Sequence, residues 1–188
     1  KKIVFIMNPI SGTSSKAAVP SLIDSTLDKE QFEYEIKMTE RPGHASELAA
    51  EARDNHADIV VAVGGDGTVN EVARSLVHSD SALGILPCGS GNGLARHLLL
   101  PMNLKKSIEI INACEIHDLD YGVINEYPFF CTCGMGFDAF VSMKFAESGK
   151  RGPISYAENI LREGLKYEPE TYTLEDETGT KQYKAFLI

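Results

Sequence analysis

The stretch VVAVGGDGTVNEV, from Val60 to Val72, joins a short apolar run to a helix-like segment through glycines that surround one aspartate. An apolar run of this length is typical of a strand buried on both faces of a parallel sheet. Glycine allows positive φ and a close approach of the backbone to a ligand. A helix that begins directly after such a turn offers unpaired N–H groups and the positive end of its dipole. The stretch therefore predicts a buried strand followed by a turn suited to phosphate.

The same pattern occurs twice more. The apolar run from Lys2 to Met7 leads into NPISG, and ALGILP, from Ala82 to Pro87, leads into CGSGNG. A further strand is predicted from Phe32 to Met38. Helices are predicted up to about Leu27, from His44 to Asn55, from Thr68 to Val77, from the third turn to Pro101, and from Leu104 to Asn112. Repeated strand, turn and helix units predict an α/β fold, a doubly wound parallel sheet with helices on both faces and its ligand site at the carboxyl ends of the strands.

The alternation of apolar runs, glycine turns and helical patterns stops after about Ile116. We therefore predict two domains, residues 1–115 and 116–188. The second should hold a hairpin turning at Glu126 to Pro128, with Cys131 and Cys133 on one face of its strand. Helical patterns follow at 138–149 and 155–167, and a second hairpin turns at Thr178 and Gly179. The chain stops inside an apparent strand, which would leave a hydrophobic edge unpaired.

Composition limits the classes of partner. The chain has 188 residues and a formal net charge of −9, so its surface as a whole repels nucleic acid and anionic lipid alike. No apolar run approaches the roughly 18 residues of a membrane span, and no secretory signal is apparent. These features predict a cytoplasmic protein with reduced cysteines and no nucleic-acid partner. Any membrane contact would be local and largely apolar.

The turns admit a purely structural interpretation. None is a GxxxxGK[ST] loop, none is GxGxxG after the first strand, and a single glycine turn is more often only a tight connection. Three turns at one sheet edge, each rich in Ser, Thr or Asn, favour phosphate binding. A carboxylate at Asp66 beside phosphates calls for a cation or a role as proton acceptor. Alternatively, Asp66 caps the helix that starts near Thr68.

Taken together, NPISG (8–12), GGDGTVNEV (64–72) and LPCGSGNGLAR (86–96) resemble the diacylglycerol kinase catalytic domain family, which includes bacterial lipid kinases and sphingosine kinases. LDYGVIN, GMGFDAFV and KRGPISY resemble segments at the start of that family's second domain. The resemblance implies an NAD kinase- and phosphofructokinase-like domain followed by the first part of an antiparallel β-sandwich. It also implies ATP- and Mg²⁺-dependent phosphorylation of a lipid hydroxyl, such as that of diacylglycerol or a sphingoid base.

By resemblance, the nucleotide site would be formed by residues of the three turns and one neighbouring strand end. These are Asn8, Pro9, Ser11, Gly12, Thr39, Gly65, Asp66, Gly67, Thr68, Asn70, Glu71, Gly89, Ser90 and Asn92. Asp66 would be the catalytic residue, beside Mg²⁺ or the acceptor hydroxyl. Asp138 would face the lipid head group, although it is equally well placed to cap a helix.

Two features depart from the family pattern. Gly93 follows Asn92 where many relatives have an aspartate. The family also continues for about another hundred residues, which carry further magnesium ligands and a proposed general base. We therefore expect this stretch of chain to bind nucleotide poorly or to catalyse little by itself.

Two other functions fit part of the pattern. An NAD kinase-like phosphotransferase shares GGDG, and a nucleotide-sensing module would bind ATP without transferring phosphate. For a lipid kinase we expect transient peripheral contact with a membrane surface. A homodimer formed through the exposed strand edge is also compatible with the sequence.

Overall fold

The computed structural model describes residues 1–12, 16–148, 164 and 167–188. They form two compact units, residues 1–131 and 132–188. The first unit extends beyond residue 115 because the predicted hairpin is attached to it: Arg74 Nε donates to the Pro128 carbonyl at 3.1 Å, and Phe130 packs against a core of this unit. As a division into functional domains, 1–115 and 116–188 stays a prediction.

The first unit alternates strands and helices along the chain. They are β1 (Lys2–Met7), α1 (Val19–Thr26), β2 (Glu33–Met38), α2 (His44–Asp54), β3 (Ile59–Gly64), α3 (Asp66–Leu76), β4 (Ala82–Pro87), α4 (Gly93–His97), α5 (Leu104–Ala113), β5 (Gly122–Ile124) and β6 (Tyr127–Phe129). The strands β1 to β4 pair in parallel in the order β2-β1-β3-β4. Every residue of β3 is buried, as its unbroken apolar sequence predicts.

Alternate residues of the strands supply two cores, one on each face of the sheet. Val4 and Ile6 of β1 lie in the core that includes α2 and α3. Ile3 and Phe5 lie in the opposite core, with α1 and α5. Helices thus cover both faces, and the predicted α/β fold with a doubly wound parallel sheet is confirmed.

Some boundaries differ from prediction. Helix α3 begins at Asp66 rather than at Thr68. Helix α4 ends at His97, well before Pro101, because Leu99 has φ +57° and so cannot continue a right-handed helix. Asn125 and Glu126, both at positive φ, form the turn of the first hairpin.

The prediction that Cys131 and Cys133 share one face of a strand is wrong. Cys131 and Cys133 lie outside the strands, and both are exposed.

The second unit contains α6 (Phe137–Ser148) and the antiparallel hairpin of β7 (Glu170–Asp176) and β8 (Gly179–Ala185). The hairpin is a two-stranded sheet, and beyond β8 the last three residues bond to another segment, residues 135–137. Ile188 N donates to Met135 O at 3.0 Å, and Met135 N donates to Ile188 O at 2.9 Å. The predicted helix at 155–167 lies almost wholly outside the described residues.

Within the described ranges, every helix is too short or too polar to cross a membrane.

Candidate functional site

The carboxyl ends of the four parallel strands lie side by side and are joined by backbone hydrogen bonds. Asn8 N donates to Val63 O at 3.1 Å, Cys88 N to Gly64 O at 2.8 Å, and Thr39 N to Met7 O at 2.9 Å. Since β1, β3 and β4 are neighbours in the sheet, the three glycine turns leave the sheet at one edge. This edge is called the carboxyl rim below.

The three turns touch one another through their backbones. Gly12, at φ +70°, lies so close to Cys88 that an added Cβ would overlap with the Cys88 carbonyl oxygen. A Cβ on Gly89 would overlap with the Cα of Gly65. Glycine is therefore required at these two positions for packing between turns, and not only for local turn geometry.

Asp66 connects the second turn to the third. It is exposed, and its carboxylate accepts hydrogen bonds from the backbone N–H groups of Asn92 at 2.9 Å and Gly93 at 2.5 Å. It therefore does not cap its own helix, whose N-cap is Gly65; it caps α4 instead. Each carboxylate oxygen keeps a second lone pair, so the group can still face a cation or a hydroxyl.

Asn92 fixes the shape of the third turn. It is 8% exposed and has a left-handed backbone at φ 56°. Its Oδ1 accepts from Gly89 N at 2.8 Å, and its Nδ2 donates to Gly89 O at 2.9 Å. Because one side chain satisfies both backbone groups of Gly89, the turn is held closed.

Asn8 plays a similar part in the first turn. Its Oδ1 accepts from Ile10 N at 3.0 Å, and its Nδ2 donates to Thr68 Oγ1 at 3.4 Å. Thr68 is 5% exposed and fills the space above Gly64. The first turn is thereby joined to the start of α3.

Lys16 is a residue of this site that the sequence reasoning missed. It is 7% exposed, and its Nζ donates to Asn8 O at 2.9 Å and to the carbonyl and hydroxyl oxygens of Ser11. Burial raises the pKa of the neighbouring Cys88 thiol, and the positive charge of Lys16 partly opposes that increase. A sequence signal existed, because Lys16 is the only charged residue between Lys2 and Asp24.

Glu71 has a structural partner in α2. Its carboxylate accepts from Gly43 N and Ala45 N, both at 3.2 Å, at the start of that helix. These contacts tie α3 to the loop after β2, which also contains Thr39. A role for Glu71 and Thr39 in nucleotide binding stays a prediction.

The remaining predicted residues lie in the same turns. Pro9, Gly67 and Ser90 are exposed, whereas Ser11 and Asn70 are partly buried. Asp138 belongs to the second unit, where it is exposed in the first turn of α6 and its Oδ1 accepts from Ala139 N at 2.8 Å. Its predicted contact with a lipid stays a prediction.

Of the three basic residues that could be charge partners of the phosphates, Arg96, Lys150 and Arg151, one can be placed. Arg96 is exposed, and its Nε donates to Gly91 O at 2.9 Å. Lys150 and Arg151 lie outside the described residues.

Three or more His, Cys, Asp or Glu side chains do not converge anywhere in the described part of the chain. That Asp66 lies beside a magnesium ion stays a prediction.

Comparison with known proteins places this chain in a family. Residues 2–124 match the model of the diacylglycerol kinase catalytic domain. The chain is 32% identical to a diacylglycerol kinase of Staphylococcus saprophyticus over 161 residues, which are 83% of this chain and 52% of that protein. It is 30% identical over 184 residues to a Streptococcus pneumoniae protein named as a lipid kinase, covering 95% of this chain and 62% of the relative.

A crystal structure of a diacylglycerol kinase from Bacillus anthracis has the same fold, with a TM-score of 0.71 and 22% identity; the match covers 99% of this chain and 64% of that one.

The chain belongs to the diacylglycerol kinase catalytic domain family, as its motifs indicate. It spans about half to two thirds of the length of the curated relatives it matches. One of these relatives is named as a diacylglycerol kinase and the other as a lipid kinase.

Proposed function

We propose that the protein is an ATP- and Mg²⁺-dependent lipid kinase and that the carboxyl rim binds the triphosphate. The observation that carries the proposal is the joining of three glycine turns at one sheet edge through the Asp66–Asn92 and Asn8–Thr68 hydrogen bonds and the Gly12–Cys88 contact. Family membership supports phosphoryl transfer to a lipid, and the joined turns supply the backbone amides that such transfer requires.

The turns would act mainly by positioning and by charge stabilisation. Phosphoryl transfer needs an in-line nucleophile and neutralisation of charge on the phosphate oxygens. Backbone N–H groups at the start of α3, residues 66–68, and in the third turn, residues 90 and 91, would bind those oxygens, and Lys16 adds a positive charge beneath the first turn. Because the turns hold one another in place, the donors would need little reorganisation during the reaction.

Asp66 has two roles in the proposal. By accepting the N–H groups of Asn92 and Gly93 it fixes the third turn against the second. With its remaining lone pairs it would hold the magnesium ion of the nucleotide or receive the proton of the acceptor hydroxyl. When bound, Mg²⁺ would neutralise phosphate charge.

The engagement of both Asp66 oxygens also supports a second candidate, a module that binds ATP without transferring phosphate. In that case the carboxylate would serve only to hold the two turns together.

One assay distinguishes these functions. The full-length protein is incubated with ATP labelled at the γ-phosphate, with Mg²⁺, and separately with diacylglycerol, a sphingoid base and NAD. We expect label in one of the lipids. Label in NAD alone would contradict the lipid kinase, and ATP binding with no labelled product would favour the sensor.

A further inference from the structure

An exposed apolar surface follows the third turn directly. Residues 96–106, RHLLLPMNLKK, run from the end of α4 into the first turn of α5 and are called the basic leucine surface here. Three of its apolar side chains are exposed: Leu98 to 39%, Leu99 to 89% and Met102 to 37%. Arg96 and the two lysines at positions 105 and 106 are exposed beside them.

Leu99 occupies a position where glycine is the usual residue. Helix α4 ends with two hydrogen bonds, from Leu99 N to Arg96 O at 3.0 Å and from Leu100 N to Ala95 O at 2.8 Å. This pair defines a Schellman motif, whose left-handed residue is most often glycine. Leu99 adopts φ +57° there and projects its side chain into solvent. A leucine at this site strains the backbone and exposes apolar area, so its side chain adds no packing within the described part of the chain.

The surface is held in place by its other residues. Leu100 packs against the core that includes α2 and α3, and Leu104 packs against the core on the opposite face. Ser107 Oγ donates to Pro101 O at 2.7 Å, and Asn103 caps α5 by accepting from Lys106 N at 3.1 Å. The exposure of the leucines is therefore set by the fold.

Charge distinguishes this surface from a second exposed apolar segment of the same unit. Residues 94–108 contain no acidic residue, although the chain as a whole carries −9. In contrast, residues 115–127 expose Ile116 to 62% and Val123 to 57% among Glu115, Asp118, Asp120 and Glu126. Basic charge around exposed leucines is complementary to anionic lipid head groups above an apolar layer, whereas the acidic segment would be repelled by them.

We infer that the basic leucine surface is the part of this protein that docks on an anionic lipid bilayer. Leu98, Leu99 and Met102 would enter the boundary between head groups and acyl chains, with the basic residues on the head groups. Helix α4 has only five residues, so docking would place the third turn close to the membrane surface. The inference rests on the proposed lipid kinase and adds the surface by which it would reach its substrate.

The test measures sedimentation of the full-length protein with vesicles of equal parts phosphatidylcholine and phosphatidylglycerol, and with vesicles of phosphatidylcholine alone. We expect binding to the anionic vesicles to be much stronger, and to weaken as salt is added. Leu99→Gly is the decisive variant because glycine suits the left-handed position. It should keep or raise the melting temperature while lowering vesicle affinity about tenfold.

Two further variants complete the test. Lys105→Ala with Lys106→Ala should lower affinity for anionic vesicles by roughly 25-fold, at about fivefold for each charge. Val123→Ser, in the acidic segment, is the matched apolar control and should bind like the wild type.

The inference is overturned if the wild-type protein does not sediment with anionic vesicles. It is also overturned if Leu99→Gly binds these vesicles as tightly as the wild type. An equal loss of vesicle affinity in Val123→Ser would also overturn the inference. Conversion of a dimer to a monomer by Leu99→Gly, without vesicles, would instead assign the surface to self-association. Phosphorylation of detergent-dispersed lipid without vesicle binding would refute only the docking surface, whereas vesicle binding without phosphorylation of any lipid would refute only the kinase.

Discussion

The two ends of the parallel sheet are built differently. At the amino end, side-chain contacts are made by exposed or partly buried residues: Lys2 N donates to Asp58 Oδ2 at 2.7 Å, Lys2 Nζ to Asn55 O at 3.2 Å, and Ser81 Oγ to Ala57 O at 2.6 Å. At the carboxyl rim, Lys16, Thr68 and Asn92 are buried polar residues that bond to residues of the first and third turns. Burial of polar groups costs free energy unless they are fully bonded. The difference indicates that the carboxyl rim is organised to hold a fixed set of backbone donors, whereas the amino end only connects elements.

The largest expected contrast is between two aspartates, one at each end. Asp66→Asn removes the negative charge proposed for magnesium or proton binding and places an amide NH₂ against the N–H donors of the third turn. We expect lipid phosphorylation by the full-length protein to fall about 100- to 10,000-fold. Asp58→Asn, at the amino end, should keep activity within about twofold. Equal activity of the two variants would remove the functional distinction between the ends.

The next contrast concerns the packing of the turns. Gly89→Ala places a methyl group against Gly65 and should lower the free energy of unfolding by about 1–3 kcal/mol. Gly67→Ala meets nothing within 4 Å and lies in α3, so its stability should be unchanged or slightly higher. Urea denaturation measures both. Similar losses in the two variants would mean that the turns are not closely packed.

Asn92→Ala tests the two hydrogen bonds between the Asn92 side chain and the backbone of Gly89. Loss of two hydrogen bonds at a left-handed residue should lower the free energy of unfolding by about 1–3 kcal/mol and weaken ATP binding measured by calorimetry. Asn103→Ala removes a cap of α5 and should cost about 1 kcal/mol without changing ATP affinity. If Asn103→Ala weakened ATP binding as much, general destabilisation would explain both results.

The smallest effect is expected at an exposed pair after β2. Arg41 donates to both carboxylate oxygens of Glu47, at 2.8 and 2.6 Å, and this lowers the pKa of Glu47. The pair therefore stabilises the fold above the ordinary glutamate pKa of about 4.3, and that contribution disappears as pH falls through the lowered value. The melting temperature of Glu47→Gln should be slightly lower than that of the wild type at pH 7 and equal to it at about pH 2. A larger difference in melting temperature at about pH 2 than at pH 7 would contradict this pH dependence.

Most of the fold follows from local patterns. The apolar runs of β1, β3 and β4 and the apolar periods of the helices are sufficient to predict the parallel sheet with two covered faces. The end of α4 at His97 was not predictable, because leucine rarely adopts the left-handed conformation found at Leu99.

The site was predicted less completely than the fold. Glycine and asparagine patterns identify the three turns, but the partners of their side chains are distant in sequence. Asp66 bonds to residues 92 and 93, and Glu71 bonds to residues 43 and 45. Such contacts depend on strand order, which periodicity does not specify. Lys16 was missed because an isolated lysine is usually exposed.

Hydrogen exchange of the full-length protein, with and without magnesium and ATP, tests the nucleotide site most directly. We predict that ATP slows exchange at the amides of residues 8, 10–12, 64–68 and 88–93 together, while residues 1–2, 55–58 and 79–82 at the amino end exchange as before. Protection confined to the amino end, or to only one of the three turns, would contradict binding of the triphosphate at the carboxyl rim.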